Sequence, residues 1–265
     1  MLKKIFITML WSVALSVYAD SVLLYNLSHD RTEMSRDADH VRSIASITKI
    51  MTAMVALDYD KDLSRRLILS RTVRSHLPRQ TYTREQLLKA MLINSDNAAA
   101  ETIAADYPGG RSAFVARMNR TAEAWGMNHT HFVDPSGLGV FNVSTARDVA
   151  NMMTTAAGYW FITEVSSQKH TAIETKYKKR IRTINLPHTS GELLFAFDSI
   201  IVSKTGLTSS AGWCVGMVVE QNHQRYVVVV LGSRNKRERL ETVKNMRYNH
   251  IVDTNLNEVN FSTNY

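Results

Sequence analysis

Four consecutive valines, Val227–Val230, lie within the stretch Arg225–Leu231 near the end of the chain. An unbroken β-branched row of this length is the pattern of a buried strand. Two more strand-like stretches, Ser199–Ser203 and Gly212–Glu220, come shortly before it. At the opposite end, Ser21–Leu27 (SVLLYNL) has the same apolar and β-branched character, and His29–Arg31 is the turn of a hairpin that opens the domain. A core strand at the end must find its partners and cover within the rest of the sequence.

Between these ends the pattern is helical. From Ser46 to Leu57 the residues Ile47, Ile50, Met51, Met54, Val55 and Leu57 recur at three- and four-residue intervals, which predicts a central helix with one broad buried face. Thr83 and Gln86 form a capping box for a helix carrying Leu87, Leu88, Met91 and Leu92. The pattern breaks at Asn94-Ser95-Asp96-Asn97 and resumes through Ile103, placing a polar loop between two helices. Tyr107-Pro108-Gly109-Gly110 stops the second of these, Ser112–Trp125 forms another closed by Gly126, Ser144 caps one through Met153, and a last helix covers about Arg237–His250. Strands at both ends with helices between them imply one α/β unit with a mainly helical subdomain inserted at about residues 60–190.

The composition, 45% hydrophobic and 21% charged with 11 Gly and 4 Pro, is that of a folded globular chain. The single cysteine, Cys214, excludes a disulfide framework and a Cys-based zinc site, and beside Trp213 and Val215 it reads as a small buried hydrophobe without a role. Nine histidines show no HExxH spacing, so neither a metal nor a cofactor is expected. Met1–Ala19 reads as a secretory signal cleaved after Ala19: Lys3 and Lys4 are its basic start, and the apolar Ile5–Val17 is short of the roughly 20 residues that span a bilayer. The mature unit is then residues 20–265. The formal charge of +8 falls to +6 when Lys3 and Lys4 leave, and it favours anionic surroundings such as a wall polymer, lipid headgroups or nucleic acid without choosing among them. Arg234–Arg239, Lys244 and Arg247 make the last helix basic, but the interleaved Glu238 and Glu241 read as a salt-bridged solvated face, which sets nucleic acid aside.

Three short motifs carry chemistry: Ser46-Ile47-Thr48-Lys49, Ser95-Asp96-Asn97 and Lys204-Thr205-Gly206. Each alone is weak. Together, in this order and each in fitting local structure, they form a constellation. Ser46 and Lys49 sit one turn apart at a helix start and can share a face. Ser95 and Asn97 lie in the inter-helix loop, and Lys204-Thr205-Gly206 ends an apolar strand, where glycine lets a ligand backbone come close. A serine hydroxyl needs a base, and an amine serves if neighbouring positive charge lowers its pKa, so Lys49 beside Lys204 fits the task. The plainer readings are a helix N-cap for Ser46 and for Asn97, a solvated lysine for Lys49 and an edge-strand charge for Lys204.

These motifs resemble those of the penicillin-recognising serine hydrolases. The stretches SIASITKIMTAMVALD, YPGGRSAFVARMN, FVDPSGL, NVSTARD and SKTGLTSSAGWC are similar to the low-molecular-mass penicillin-binding proteins, the D-alanyl-D-alanine endopeptidases in particular. The resemblance implies a serine β-lactamase/transpeptidase-like fold, an antiparallel sheet flanked by helices. It implies that Ser46 attacks a D-Ala carbonyl, Lys49 takes its proton, Ser95 relays a proton to the leaving amine and Asn97 holds the substrate amide. Lys204 and Thr205 would bind a carboxylate or fix a sheet-like pose beside Gly206, and the N–H groups of Ser46 and Leu207 would form the oxyanion hole. Asp134-Pro135-Ser136-Gly137-Leu138 would border the site without acting in it. Peptidoglycan stem peptides and cross-links are the implied substrates, and β-lactams the implied inhibitors.

Endopeptidase action on cross-links is the expectation, with D-alanyl-D-alanine carboxypeptidase as the alternative. A β-lactamase would need a deacylating carboxylate, and Asp134, Asp148, Glu164 and Glu174 lack the Glu-x-x-Leu-Asn context for it. The intact Ser46, Lys49, Ser95, Asn97 and Lys204 set argues against a non-catalytic wall-binding module. With about sixty residues after Gly206 and a polar 251–265 stretch, neither the added C-terminal domain of carboxypeptidase relatives nor a stable membrane anchor is expected, so the chain would act in the periplasm.

Overall fold

The first and last strands among the described residues lie side by side. β1 (Ser21–Asn26) folds back as β2 (Arg31–Arg36), and a short β3 (Arg42–Ser43) leads through the 3₁₀ turn Ala45–Ile47 into α1 (Thr48–Tyr59). The ribbon of β4 (Arg66–Ile68) and β5 (Thr81–Thr83) precedes α2 (Arg84–Ile93), α3 (Asn97–Ala105) and α4 (Gly110–Ala124). β6 (Val143–Ser144) pairs with β3, and α5 (Ala146–Ala156), α6 (Trp160–Ser166) and a hairpin of β7 (His170–Tyr177) and β8 (Arg180–Pro187) follow. The long strands β9 (Ser199–Thr208), β10 (Gly212–Gln221) and β11 (Gln224–Ser233) lead into α7 (Lys236–Arg247). The structure, a computed structural model, describes residues 20–177 and 180–252; the export signal expected at 1–19 lies outside the described residues.

The main sheet has the order β2-β1-β11-β10-β9 and is antiparallel throughout. The valine row is its central strand. Val227 and Val229 pack with Leu23, Val202 and Val218 against the helical body, whereas Val228 and Val230 pack with Val22, Leu24 and Val215 against Leu240, Val243 and Met246 of α7. Successive side chains of a strand point to opposite faces, so a strand covered on both must be apolar at every position. α1 lies in the larger of the two cores, buried from Thr48 to Ala56.

Several local expectations shift. The capping box at Thr83 and Gln86 forms, but the fourth helix starts at Gly110, Thr145 rather than Ser144 caps α5, and Asn235 caps α7. The region expected to be helical up to 190 also contains the β7–β8 hairpin. Its inward positions are Thr171, Ile173 and Thr175, so the alternation is carried partly by threonine and escapes a search for apolar periodicity.

Arg84, 1% exposed, ties the helices together: it donates to the carbonyls of Ala56 (2.9 Å) and Asp60 (3.0 Å) at the end of α1 and to the Asp106 carboxylate (3.2 Å). The Ala56 carbonyl also accepts the Asp60 N–H (3.1 Å), and the guanidinium joins it there as a side-chain cap on the C-terminus of α1. Arg65 also pairs with Asp106 at 2.8 Å, which leaves that carboxylate a cation if Arg84 is lost. Arg84→Ala is expected to cost about 3 kcal/mol, the lower end for breaking a buried pair, as a lowered urea midpoint.

Candidate active site

Ser46 sits in the 3₁₀ turn before α1, half-buried, and its side chain does not cap the helix. The residue before it, Ala45, has φ +48°, a left-handed conformation that disfavours a Cβ. Of the six described non-glycine residues with positive φ, four are Asp, Asn or His, types that tolerate it; the other two are Ala45 and Ser95 (φ +62°). Strain of this kind persists only where surroundings enforce it. At Ala45 two glycines do so. A Cβ on Gly137 (φ +80°) would stand on the Ala45 carbonyl, and one on Gly206 would lie 2.7 Å from the Ile44 oxygen and 3.2 Å from the Ser46 nitrogen. The backbone that Gly206 admits is therefore the protein's own. Nor does Lys204-Thr205-Gly206 end its strand: β9 continues to Thr208, and Gly206 pairs with Cys214.

Lys49 is fully buried. Its Nζ donates to Ser46 Oγ (2.9 Å), to Asn97 Oδ1 (2.7 Å) and to the Ser136 carbonyl. Burial brings its pKa down to about 7, against the opposing pull of Asp134, Asp96 and Glu101. Desolvation thus does the work that the sequence argument assigned to neighbouring positive charge. Lys204 is equally buried and donates to Ser95 Oγ (3.0 Å) and the Thr205 carbonyl (2.9 Å). Burial, then the charges of Lys49 and Arg239, hold it well below the ordinary lysine range. Each serine hydroxyl accepts from its own lysine.

Ser95 lies in the loop between α2 and α3, whereas Asn97, expected in that loop, is the first residue of α3; Asp96 between them anchors both. Its Oδ1 caps α3 at the Ala99 N–H (2.9 Å), and its Oδ2 accepts from Ser75 Oγ and the His76 N–H (2.7 Å each). The cap is Asp96, which leaves Asn97 for the cleft. At the cleft Thr205 Oγ1 donates to Thr189 Oγ1 (2.8 Å), and the neighbouring His188 is pressed down to about 4 by burial and by Lys204, so it is neutral.

β9 is an edge strand, and along its open side runs a cleft of ≈ 450 Å³ walled by Ser46, Ser95, Asn97, Thr205, Leu207 and Arg239. An edge strand leaves alternate N–H and C=O groups unpaired, which an extended peptide can engage. A buried amine with its pKa near 7, at hydrogen-bond distance from a hydroxyl and floored by a second buried amine, suits acyl transfer.

A family model described as D-alanyl-D-alanine carboxypeptidase, peptidase S11, matches residues 10–235. The chain belongs to the peptidase S11 family. Among S11 relatives, it is 33% identical over 230 residues to a D-alanyl-D-alanine endopeptidase of Escherichia coli (strain K12), covering 83% of this chain and 73% of the relative. The corresponding endopeptidase of Pseudomonas aeruginosa is 34% identical over 225 residues, covering 82% and 72%. The crystal structure of the Streptomyces K15 DD-transpeptidase superimposes with a TM-score of 0.80 at 26% identity, covering 88% of this chain and 97% of that one. The antiparallel sheet with flanking helices is thus the penicillin-recognising serine hydrolase fold.

In this S11 chain the structure gathers the predicted Ser46, Lys49, Ser95, Asn97, Lys204, Thr205, Gly206 and Leu207 at the cleft and its floor. Sequence reasoning missed Arg239. It was grouped with the solvated basic face of α7, yet it is 2% exposed, donates to the Cys214 carbonyl (3.2 Å) and lies 5.4 Å from the Trp213 ring, with its Nε unpartnered. The signal was spacing: Arg239 is four and seven residues from Val243 and Met246, so it belongs to the buried stripe. Asp148, one of the carboxylates weighed for a β-lactamase, is buried and occupied by the His129 N–H and Thr130 Oγ1 (2.9 Å each).

Gly137→Ala tests the clamp on Ala45. The new methyl meets backbone and the φ is unfavourable, so the expected result is a lower melting temperature and loss of Ser46 reactivity, read by calorimetry and by labelling with a fluorescent penicillin.

Proposed function

We propose that this S11 peptidase hydrolyses D-Ala peptide bonds of peptidoglycan cross-links through an acyl-enzyme on Ser46, acting in the periplasm after export. The observation that carries the reading is Lys49: a buried amine 2.9 Å from Ser46 Oγ with its pKa drawn to about 7, so that a large share is neutral at neutral pH. Neutral Lys49 takes the Ser46 proton as Oγ bonds to the D-Ala carbonyl carbon, and the N–H groups of Ser46 and Leu207 receive the oxyanion. As the tetrahedral adduct collapses, the C–N bond breaks and the leaving amine gains a proton passed on through Ser95, which Lys204 orients. Water then attacks the ester, giving its proton to Lys49, and Ser46 regains its hydrogen. Asn97 and the open edge of β9 hold the peptide, with Thr205 and Arg239 placed for its carboxylate.

The two endopeptidase relatives at 33% and 34% identity support cross-link cleavage; the description of the family model favours carboxypeptidase action on terminal D-Ala. The serine chemistry is common to both, and the leaving group separates them. Initial rates on cross-linked muropeptide dimers and on monomeric pentapeptide, resolved by mass, are expected to favour the dimers; a clear preference for pentapeptide reassigns the chain as a carboxypeptidase.

β-Lactams present a strained amide to the same nucleophile, so mass spectrometry is expected to place a penicilloyl adduct on the peptide containing Ser46 and none in Ser46→Ala. Lys49→Ala is expected to lose acylation by on the order of 10²- to 10⁴-fold, the contribution typical of a positioned base. Because the reactive form is the neutral amine, the wild-type acylation rate should rise with pH through a midpoint near 7 and be lost below it. A flat profile over that range would exclude Lys49 as the base.

A further inference from the structure

The loop after Phe132 is built around one carboxylate. Asp134, 6% exposed, accepts at Oδ1 from the Ser136 N–H (2.7 Å), Ser136 Oγ (2.9 Å) and the Gly137 N–H (2.6 Å), and at Oδ2 from the Gly139 N–H (2.6 Å) and Asn142 Nδ2 (2.7 Å). Burial alone would raise its pKa, but these donors hold it below the usual carboxylate value, so it is a charge at neutral pH. Two of the contacts meet on a single peptide group. The Gly137 N–H that donates to Asp134 and the Ser136 C=O that accepts from Lys49 Nζ are opposite ends of the same amide. The same loop presses Gly137 against the Ala45 carbonyl, and the Asn142 carbonyl accepts from the Ile44 N–H at 3.0 Å.

We propose that Asp134 is a positioning residue for Lys49, acting through the Ser136–Gly137 peptide: its carboxylate holds the N–H end of that amide and the carbonyl end holds the lysine amine. A peptide bonded at its N–H to an anion is a stronger acceptor at its carbonyl, because linked hydrogen bonds polarise one another. The carboxylate thereby fixes the direction of the Lys49 amine. Serine, lysine and aspartate then form a line in which the nucleophile meets its base and the base is oriented by a third group, with a backbone amide as the connecting element. This assigns a role to a loop that the sequence reading placed beside the site and left idle. It rests on Lys49 being the base for Ser46.

The charged groups that face Lys49 are Asp134 from the loop, Asp96 and Glu101 from the start and middle of α3, and Lys204 from β9; Glu101 is itself paired with Arg111 of α4 at 2.7 Å. Of the three acids, Asp134 is bonded to the amide that holds the amine, whereas Glu101 reaches Ser136 only at its hydroxyl (3.3 Å). That difference makes the test.

Acylation of Ser46 by a chromogenic β-lactam is measured from pH 5 to 9 in wild type, Asp134→Asn and Glu101→Gln, with melting temperatures alongside. In Asp134→Asn the acid limb is expected about one pH unit lower, because an anion that favoured the ammonium is gone. The plateau is expected to fall by on the order of 10- to 10²-fold, because the amine is no longer directed. Glu101→Gln should move the limb toward acid while keeping the plateau. A plateau loss in Asp134→Asn without a shift of the limb would reduce Asp134 to loop structure, and a shift without plateau loss would reduce it to a distant charge; either overturns the proposal. Should Asp134→Asn not fold, the wild-type Gly137 amide decides: its NMR shift is expected to titrate with the midpoint of the acid limb, and a flat response overturns the relay. Absence of acylation, or of any limb in wild type, would instead count against Lys49 as base.

Discussion

The site depends on keeping two lysine side chains out of water. An ammonium loses far more on burial than a neutral amine, so a pocket that fully encloses Lys49 and Lys204 selects the form in which an amine can accept a proton. Enclosure needs a wall on every side, and each wall is a different part of the chain: α1 brings Lys49, β9 brings Lys204, the α2–α3 loop brings Ser95, the start of α3 brings Asn97, and the Asp134 loop closes over the amine with a carbonyl. The acids around Lys49 temper the effect. Without them burial alone would drive the amine further down; with them its pKa stands at about 7.

The same arrangement explains where local conformational strain is spent. Ala45 and Ser95 hold left-handed backbones although neither is glycine; the first precedes and the second carries a hydroxyl that accepts from a lysine. Ala45 is wedged between Gly137 and Gly206, one from a loop and one from an edge strand, so neither contact can relax without moving an element of the fold. The glycine of the third motif thus serves the architecture of the nucleophile.

What was legible in the sequence was local. Ser46 and Lys49 share a helical turn, Ser95 and Asn97 flank the cap of one helix, Lys204 to Leu207 share a strand, and short spacings survive any fold that keeps those elements. The valine row announced a strand covered on both faces for the same reason. Properties that depend on enclosure were illegible. The cause of the depressed Lys49 pKa is depth below the surface, and no spacing records depth. Arg239 hid among Arg237, Glu238 and Glu241, where neighbouring charges suggest solvent although the stripe with Val243 and Met246 points inward. Asp134 read as a turn residue because a turn is what it makes; that the turn carries a carbonyl to a lysine is a fact of tertiary packing. The β7–β8 hairpin, half of it polar on its inner face, offered no apolar period to follow.

The adjacency of β1 and β11 sets an order of events for a growing chain. Val22 pairs with Val230 and Ser46 takes its clamp from Gly206, so contacts essential to the sheet and to the nucleophile join residues from opposite ends of the polypeptide. Chains dominated by such distant pairings fold slowly, because the loop between the partners must close before either is rewarded. Until β9, β10 and β11 are in place, Lys49 lacks part of its enclosure, stays hydrated and keeps its proton. A partly synthesised or partly unfolded molecule therefore holds an ordinary, unreactive serine, and the capacity to cut arrives only with the last strands.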